Sequence, residues 1–328
     1  MIPTWTAPAG KRPAGRYSWG GFTIASDLAL PRLWRTQADA DTWFRWRTDA
    51  ASRVGRSLRR DELVTRGGDH LRVAVLPEGT VRYEIETVGL YVVRAEGSVI
   101  DFFPSPDADP MRVEHFLVNA ILPICAGFRS VVCLHGSAVA RDGEATVFAG
   151  PSASGKSTKA LEAIGRGGVL LGDDAVVIRR RGDAWLVYPG ARTMRLEEPP
   201  QGPSWRSGPK HEWFVPSAKG PVDLTEVLVL DRAGEAAKAT SGGSGLLRAL
   251  LSLQSAWMWG GVRTRRGVAD QTAALCYAVC NRAKSPPSPS APPVRSQTLP
   301  SGSSVGASYE SGQGSSTELS ASFTRSNV

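Results

Sequence analysis

Short apolar runs, broken by Gly and Pro, fill the chain from Tyr17 to Phe103. Leu71-Arg72-Val73-Ala74-Val75, Val81-Arg82-Tyr83-Glu84-Ile85-Glu86 and the run from Gly89 to Val93 alternate with the period of half-buried strands. Turn signals at Pro77-Glu78-Gly79 and Glu96-Gly97 separate them, so this part reads as an antiparallel meander. Between Gln37 and Leu63 the spacing is more helical or loop-like. Residues 1–16, rich in Pro, Gly and Ala, read as a flexible arm. From Pro110 to Gly127 apolar residues recur at helical spacing, with Pro at the start and Gly near the end; Pro123 should end or kink this helix.

Beyond it the pattern becomes that of buried strands. Val131 to Ala140 is β-like, Asp142-Gly143 is a hairpin turn signal, and Ala145 to Ala149 is a strand that runs into a glycine-rich loop. A short helix follows from Ser157 to about Ile164 and stops at Gly165 to Gly168. Val169-Leu170-Leu171 is the next strand and ends at Gly172-Asp173-Asp174. Ala175 to Ile178, Trp185 to Tyr188 and Glu226 to Leu230 read as further strands, and Leu246 to Met258 as an amphipathic helix. From about Ser285 the composition collapses into Ser, Pro and Gly, which cannot bury enough surface to order the chain, so 285–328 reads as a disordered tail.

Composition adds limits. The 328 residues are 41% hydrophobic and 21% charged, ordinary for globular domains. The net charge is +8, but Arg and Lys are scattered. The densest run, Arg179-Arg180-Arg181, sits beside a Gly182-Asp183 turn, so a solvated basic surface is expected rather than a nucleic-acid partner. Cys125, Cys133, Cys276 and Cys280 form no CxxC pair and read as buried thiols in a reducing cytosol. The N-terminus lacks a basic region followed by an apolar one, and Phe116 to Phe128 is too short to span a bilayer. A cytoplasmic protein with no membrane partner is expected.

The strongest chemical signal is Gly150-Pro151-Ser152-Ala153-Ser154-Gly155-Lys156-Ser157-Thr158, a full G-x-x-x-x-G-K-[ST] loop between a strand and a helix. Gly150 and Gly155 let the backbone turn so that successive amides face inward, and the helix N-terminus adds partial positive charge. Gly150, Ser152, Ala153, Ser154, Gly155, Lys156, Ser157 and Thr158 are therefore expected to hold ATP. Lys156 should reach the β- and γ-phosphates, and Ser157 should ligate Mg²⁺. The second signal is Asp173-Asp174 at a strand end, where adjacent carboxylates are tolerable beside a metal ion or a substrate proton. One would hold Mg²⁺ and the other accept a proton from an attacking hydroxyl. The third is His135, in an apolar strand where a core histidine is the ordinary occupant. His115 reads as a packed histidine, Lys210 and His211 as parts of a Gly/Pro-rich surface or substrate-facing loop, and Arg192 as able to reach a phosphate.

Together, Leu134-His135-Gly136-Ser137-Ala138-Val139-Ala140, the phosphate loop and Leu171-Gly172-Asp173-Asp174 resemble the HPr kinase/phosphorylase family, and more closely its divergent members beside peptide-modification genes, including lasso-peptide serine kinases. The resemblance is close over 130–180. It extends loosely to Ser26-Asp27-Leu28-Ala29-Leu30-Pro31 and to Tyr188-Pro189-Gly190-Ala191-Arg192. It implies ATP- and Mg²⁺-dependent phosphorylation of a hydroxyl, typically of serine. By it Asp173 is the base, Asp174 the metal or electrostatic partner and His135 a polar group orienting the pair, although the two aspartate roles can be exchanged. The chain departs from the family at Thr158, where HPr kinases carry a glutamate that helps at the metal, and it has no counterpart of the phosphorolysis signature. Both departures point to a plain kinase of another acceptor.

The expected fold is thus α/β: a β-rich N-terminal domain (17–110) followed by a P-loop kinase domain of the HPr-kinase/phosphoenolpyruvate-carboxykinase type (111–284). The expected partner is a peptide or small protein carrying the acceptor hydroxyl, with a small-molecule hydroxyl second. A nucleotide-binding regulator without phosphotransfer and a nucleic-acid-stimulated ATPase are the competing classes. The sequence leaves the oligomeric state open, a homo-oligomer included.

Overall fold

The computed structural model describes residues 14–48, 63–66, 69–76, 79–198, 202–234, 236–237, 246–247, 249–251 and 266–282. These lie within one compact unit, Met1–Pro286. The 285–328 tail falls outside the described residues, as do 252–258 of the expected last helix; 246–247 and 249–251 are helical. The fold is mixed α/β, mostly sheet with few helices.

The first sheet contains β1 (Gly15–Trp19), β2 (Phe22–Ser26), β3 (Trp34–Arg35), β4 (Thr42–Trp46), β5 (Leu63–Arg66), β6 (Asp69–Val75), β7 (Val81–Ile85), β8 (Gly89–Val93) and β9 (Val99–Pro104), in the order β3-β1-β2-β4-β9-β8-β7-β6-β5. The meander read from alternation is β6-β7-β8, with antiparallel pairs such as Val73↔Tyr83 and Tyr83↔Tyr91. Two boundaries differ from expectation. Gly15 already belongs to β1, so the arm is shorter. β4 lies inside the stretch read as helical or loop-like. Its Thr42 and Phe44 face inward while Trp43 and Arg45 are exposed, a period of two over only five residues, paired in parallel with β2 and β9.

Helix α1 (Pro110–Phe128) closes this sheet, with Tyr91, Phe102, Val113, Leu117 and Ile121 in one cluster. Asp109 caps it by accepting from the Met111 amide at 2.9 Å. Pro123 does not end it. A wider π turn over Leu117–Ile121 precedes the proline and absorbs the missing hydrogen bond. The helix is longer than the apolar run seen in sequence; its 19 residues are long and apolar enough to cross a bilayer, yet 78% of its apolar stretch is buried in the protein.

The second sheet is built from β10 (Val132–Leu134), β11 (Gly136–Arg141), β12 (Glu144–Ala149), β13 (Val169–Asp173), β14 (Val176–Arg181) and β15 (Ala184–Tyr188). A small sheet follows: β16 (Thr193–Leu196), β17 (Trp205–Ser207) and β18 (Lys210–Phe214). Then β19 (Val222–Leu230), with β20 (Ala236–Ala237), returns to the second sheet. Its order is β10-β14-β15-β19-β12-β11-β13, and the small sheet runs β16-β18-β17. Both faces of the second sheet are covered. Ala138, Ala140, Val147 and Leu171 pack with Leu250, Leu275 and Cys276, the last two on α3 (Arg266–Arg282). Val139, Phe148 and Leu170 pack with Ala160 on α2 (Lys156–Gly165) and with Met194 and Trp213 of the small sheet.

One detail of this order places the site. The two ends of the sheet, β10 and β13, are joined twice by the chain. β10 passes through His135 into β11, which pairs with β13; β13 passes through Asp174 and Ala175 into β14, which pairs with β10. The run Val131 to Ala140 is therefore two strands, broken at His135. That break and the Asp173–Ala175 turn form one seam.

Candidate functional site

The loop 150–155 joins the end of β12 to α2. A Cβ on Gly150 would lie 2.6 Å from Ser154 Oγ and 2.7 Å from the Leu230 carbonyl, so no larger residue fits. Gly155 caps the helix at φ 79°, and Ala153 also has positive φ, 64°. The first amides of α2 have no intrahelical partner and are available to an anion. Lys156 is buried, and its ammonium donates to the Pro151 carbonyl at 2.6 Å. Ser154 Oγ is enclosed in the loop with no hydrogen-bond partner among the described residues.

Asp173 ends β13 directly opposite this loop. Its Oδ1 accepts from Ser157 Oγ at 2.8 Å and from Ser137 Oγ at 2.6 Å; its Oδ2 accepts from the Arg195 amide at 3.2 Å. Burial, and then the neighbouring Asp174 charge, push the Asp173 carboxyl up to about 6, against these three hydrogen bonds. Asp174 has φ 65°, and the Ala175 amide closes a tight turn onto the Asp173 carbonyl at 2.8 Å. Such a turn aims the two carboxylates differently, and aspartate tolerates the left-handed conformation better than most residues. His135 Nδ1 lies 3.2 Å from the Asp174 carbonyl oxygen, which only accepts, so Nδ1 carries the proton.

Positive groups surround Asp174. Arg195 Nη1 is 3.5 Å from its Oδ2. Burial alone would raise this carboxyl, but Arg195 first, then His135 and Lys210, hold it below the usual carboxylate range. Burial lowers the Lys156 ammonium; the charges of Asp174 and Asp173 oppose the fall and Lys210 adds to it. The adjacent acids thus part company: one sits near neutrality, the other stays ionised.

Behind the site two consecutive residues of α1 anchor the small sheet. His115 Nε2 is 3.2 Å from Arg195 Nη1, and burial reinforced by Arg195 pushes the imidazole down to about 3. Glu114 binds Arg32, whose Nη1 donates to Glu114 Oε2 at 2.7 Å while Nε and Nη2 donate to Glu212 of β18 at 2.6 and 2.8 Å. All three side chains are fully buried. Burial resists ionisation of Glu212, but the hydrogen bonds and charge of Arg32 bring its carboxyl down to about 2. Thr193 Oγ1 adds a donor to Glu212 at 2.7 Å.

The residues singled out in sequence divide. His135, Ser157, Asp173 and Asp174 come together, with Lys156 buried in the adjacent loop. Ser152 and Ala153 are exposed on the loop, and Thr158 is exposed on the first turn of α2. Lys210 and His211 are on β18 of a hairpin turned by Gly208 at φ 65°, not in a loop. The guanidinium of Arg192 lies over Trp34 and Phe214, at 4.1 and 4.9 Å from the ring centroids. Arg195, three residues on, occupies the site instead. Ser137 and His115 also belong to it, and their only sequence signals were a small residue after His135-Gly136 and a histidine on a helix. Among the described residues no group of three or more His, Cys, Asp and Glu is arranged for a metal; a Mg²⁺ ion that keeps most of its waters needs only one or two protein oxygens, which Ser157 and Asp173 offer. No protein-family model matches the chain, and no curated protein matches it.

Proposed function

We propose that this chain is an ATP-dependent kinase that transfers the γ-phosphoryl group to a hydroxyl, in the first instance a serine of a peptide or small protein. The observation that carries the reading is the 2.8 Å hydrogen bond from Ser157 Oγ to Asp173 Oδ1, with Asp174 next in the chain. It joins the phosphate loop to the acidic pair in the way a metal-bridged triphosphate site requires. On this reading the second and small sheets with α2 form a P-loop domain of the HPr-kinase/phosphoenolpyruvate-carboxykinase type, as the resemblance implies.

The residues fit the groups they would hold. The Gly150 cradle admits only backbone, Ser154 Oγ is an enclosed hydroxyl without a partner among the described residues, and Ser157 with Asp173 offers hard oxygen donors suited to Mg²⁺. Bound there, Mg²⁺ neutralises charge on the β- and γ-phosphates. Lys156 and the loop amides fix the γ-phosphate. Asp173, tied to Ser157, serves the metal side. Asp174, ionised and outside that hydrogen bond, takes the acceptor proton. Of the two assignments left open by the sequence, the geometry supports the exchange: Asp174 as base and Asp173 as metal partner.

The test is incubation with γ-labelled ATP, Mg²⁺ and serine-containing peptides, read by mass spectrometry. Asp174→Asn should abolish phosphoserine formation and retain nucleotide binding. Undiminished transfer in that variant removes Asp174 as the base.

A further inference from the structure

Arg195 meets both members of the acidic pair. Its backbone N–H donates to Asp173 Oδ2 at 3.2 Å, and its Nη1 lies 3.5 Å from Asp174 Oδ2. Its own orientation is fixed twice more: Nη2 donates to the Ser207 carbonyl at 2.7 Å, and Nη1 donates to His115 Nε2 at 3.2 Å. A guanidinium has no acceptor, so His115 Nε2 must be unprotonated and the neutral ring carries its proton on Nδ1. Asn119 Nδ2 is placed 3.1 Å from Nδ1; exchanging the amide's nitrogen and oxygen, which have nearly the same shape, puts the acceptor there to receive that proton. His115 lies two residues before the π turn of α1 and next to Glu114, which holds Arg32 and through it Glu212 on β18. α1 therefore pins β16 and β18 together, and Arg195 is locked from three sides.

We infer that Arg195 is the positioning residue of the acidic pair. Through its amide it holds Asp173 toward Ser157. Through a guanidinium locked by Ser207 and the Nδ1–H tautomer of His115 it aligns the Asp174 carboxylate. This rests on the kinase reading for its chemical consequence. In that step the acceptor oxygen bonds to the γ-phosphorus, the bond from γ-phosphorus to the bridging oxygen breaks with its electron pair leaving on ADP, and the acceptor proton passes to Asp174. A carboxylate turned away from the acceptor loses this transfer without loosening the triphosphate.

The experiment compares wild type, Arg195→Gln and Arg195→Lys. Binding of a fluorescent ATP analogue should change less than about threefold in both variants. The kcat for transfer should fall about 10²-fold in Arg195→Gln with KM for ATP nearly unchanged, the scale of a misplaced reacting group, and Arg195→Lys should recover part of it. At one fixed pH, carbon NMR of the side-chain carboxyls should show the Asp174 resonance displaced in Arg195→Gln. In wild type, nitrogen NMR of the His115 ring should report a protonated Nδ1 and a bare Nε2, a measurement that needs no variant to fold. Wild-type kcat in Arg195→Gln, an unmoved Asp174 resonance, or a protonated Nε2 on His115 overturns the inference. If wild type binds nucleotide but transfers to no acceptor, the kinase reading fails. The two NMR readouts still decide whether Arg195 positions the pair.

Discussion

Replacing Asp173 by Asn should stabilise the free protein at pH 8, although it removes a central site residue. The wild-type carboxyl is raised from 3.8 to about 6. At one unit per 1.36 kcal/mol, ionising it in the folded protein costs about 3 kcal/mol more than in the unfolded chain. Because the folded state holds this proton more tightly, wild-type stability from this group falls as pH rises from 3.8 to about 6 and is level above that. About half of the cost is already present at pH 5. Asparagine carries no charge, and its oxygen still accepts from Ser137 and Ser157, but its amide nitrogen faces the Arg195 N–H, a loss of about 1 kcal/mol. The variant should therefore gain about 2 kcal/mol at pH 8, and most of that advantage should be gone at pH 5. Urea unfolding followed by the fluorescence of the 10 tryptophans at the two pH values measures both numbers. Saturating Mg²⁺ and ATP should narrow or reverse the difference, since they favour the wild-type site. A variant no more stable than wild type at pH 8, or a difference unchanged between pH 5 and pH 8, refutes the reasoning.

Other consequences are equally direct. Lys156→Ala should weaken ATP binding about 10- to 100-fold, the loss of a charged hydrogen bond worth roughly 1.5–3 kcal/mol, measurable by calorimetry. Gly150→Ala should destabilise by about 1–3 kcal/mol and spoil nucleotide binding, because its Cβ meets the Leu230 carbonyl at 2.7 Å; a thermal scan with and without ATP reads both effects. Glu212→Ala should cost about 3–5 kcal/mol by leaving Arg32 half-paired in the core, seen as a lower urea midpoint. The wild-type contribution of Glu212 is complete above pH 4.5 and is lost as pH falls toward about 2.

Much of this site was legible because its signals are local. A strand entering G-x-x-x-x-G-K-[ST], and two carboxylates at a strand end, need no tertiary knowledge. The meander was legible because apolar residues alternate along β6 and β7 and turn residues separate the strands, although β8 is buried on both faces and β7 nearly so. What was hidden depends on pairing across long separations. The break at His135 sits in a continuous apolar run and exists because β10 and β11 pair with strands at opposite ends of the sheet. Arg195 and Arg192 are alike in sequence; only the placement of Trp34 and Phe214 takes Arg192 out of the site. β17 and β18 are short and flank a Gly-Pro turn, so propensity favours a loop there, and the buried Glu212–Arg32 pair overrides it. His115 has no signal that separates it from a packed histidine until Arg195, 80 residues later in the chain, is beside it.

The most direct test is phosphoserine formation from γ-labelled ATP and Mg²⁺ by wild type, Asp174→Asn and Lys156→Ala, with nucleotide binding measured on the same samples. The account predicts transfer by wild type alone, with Asp174→Asn still binding ATP and Lys156→Ala binding it weakly. Transfer by Asp174→Asn at the wild-type rate, or a wild-type protein that binds ATP and phosphorylates no hydroxyl, contradicts it.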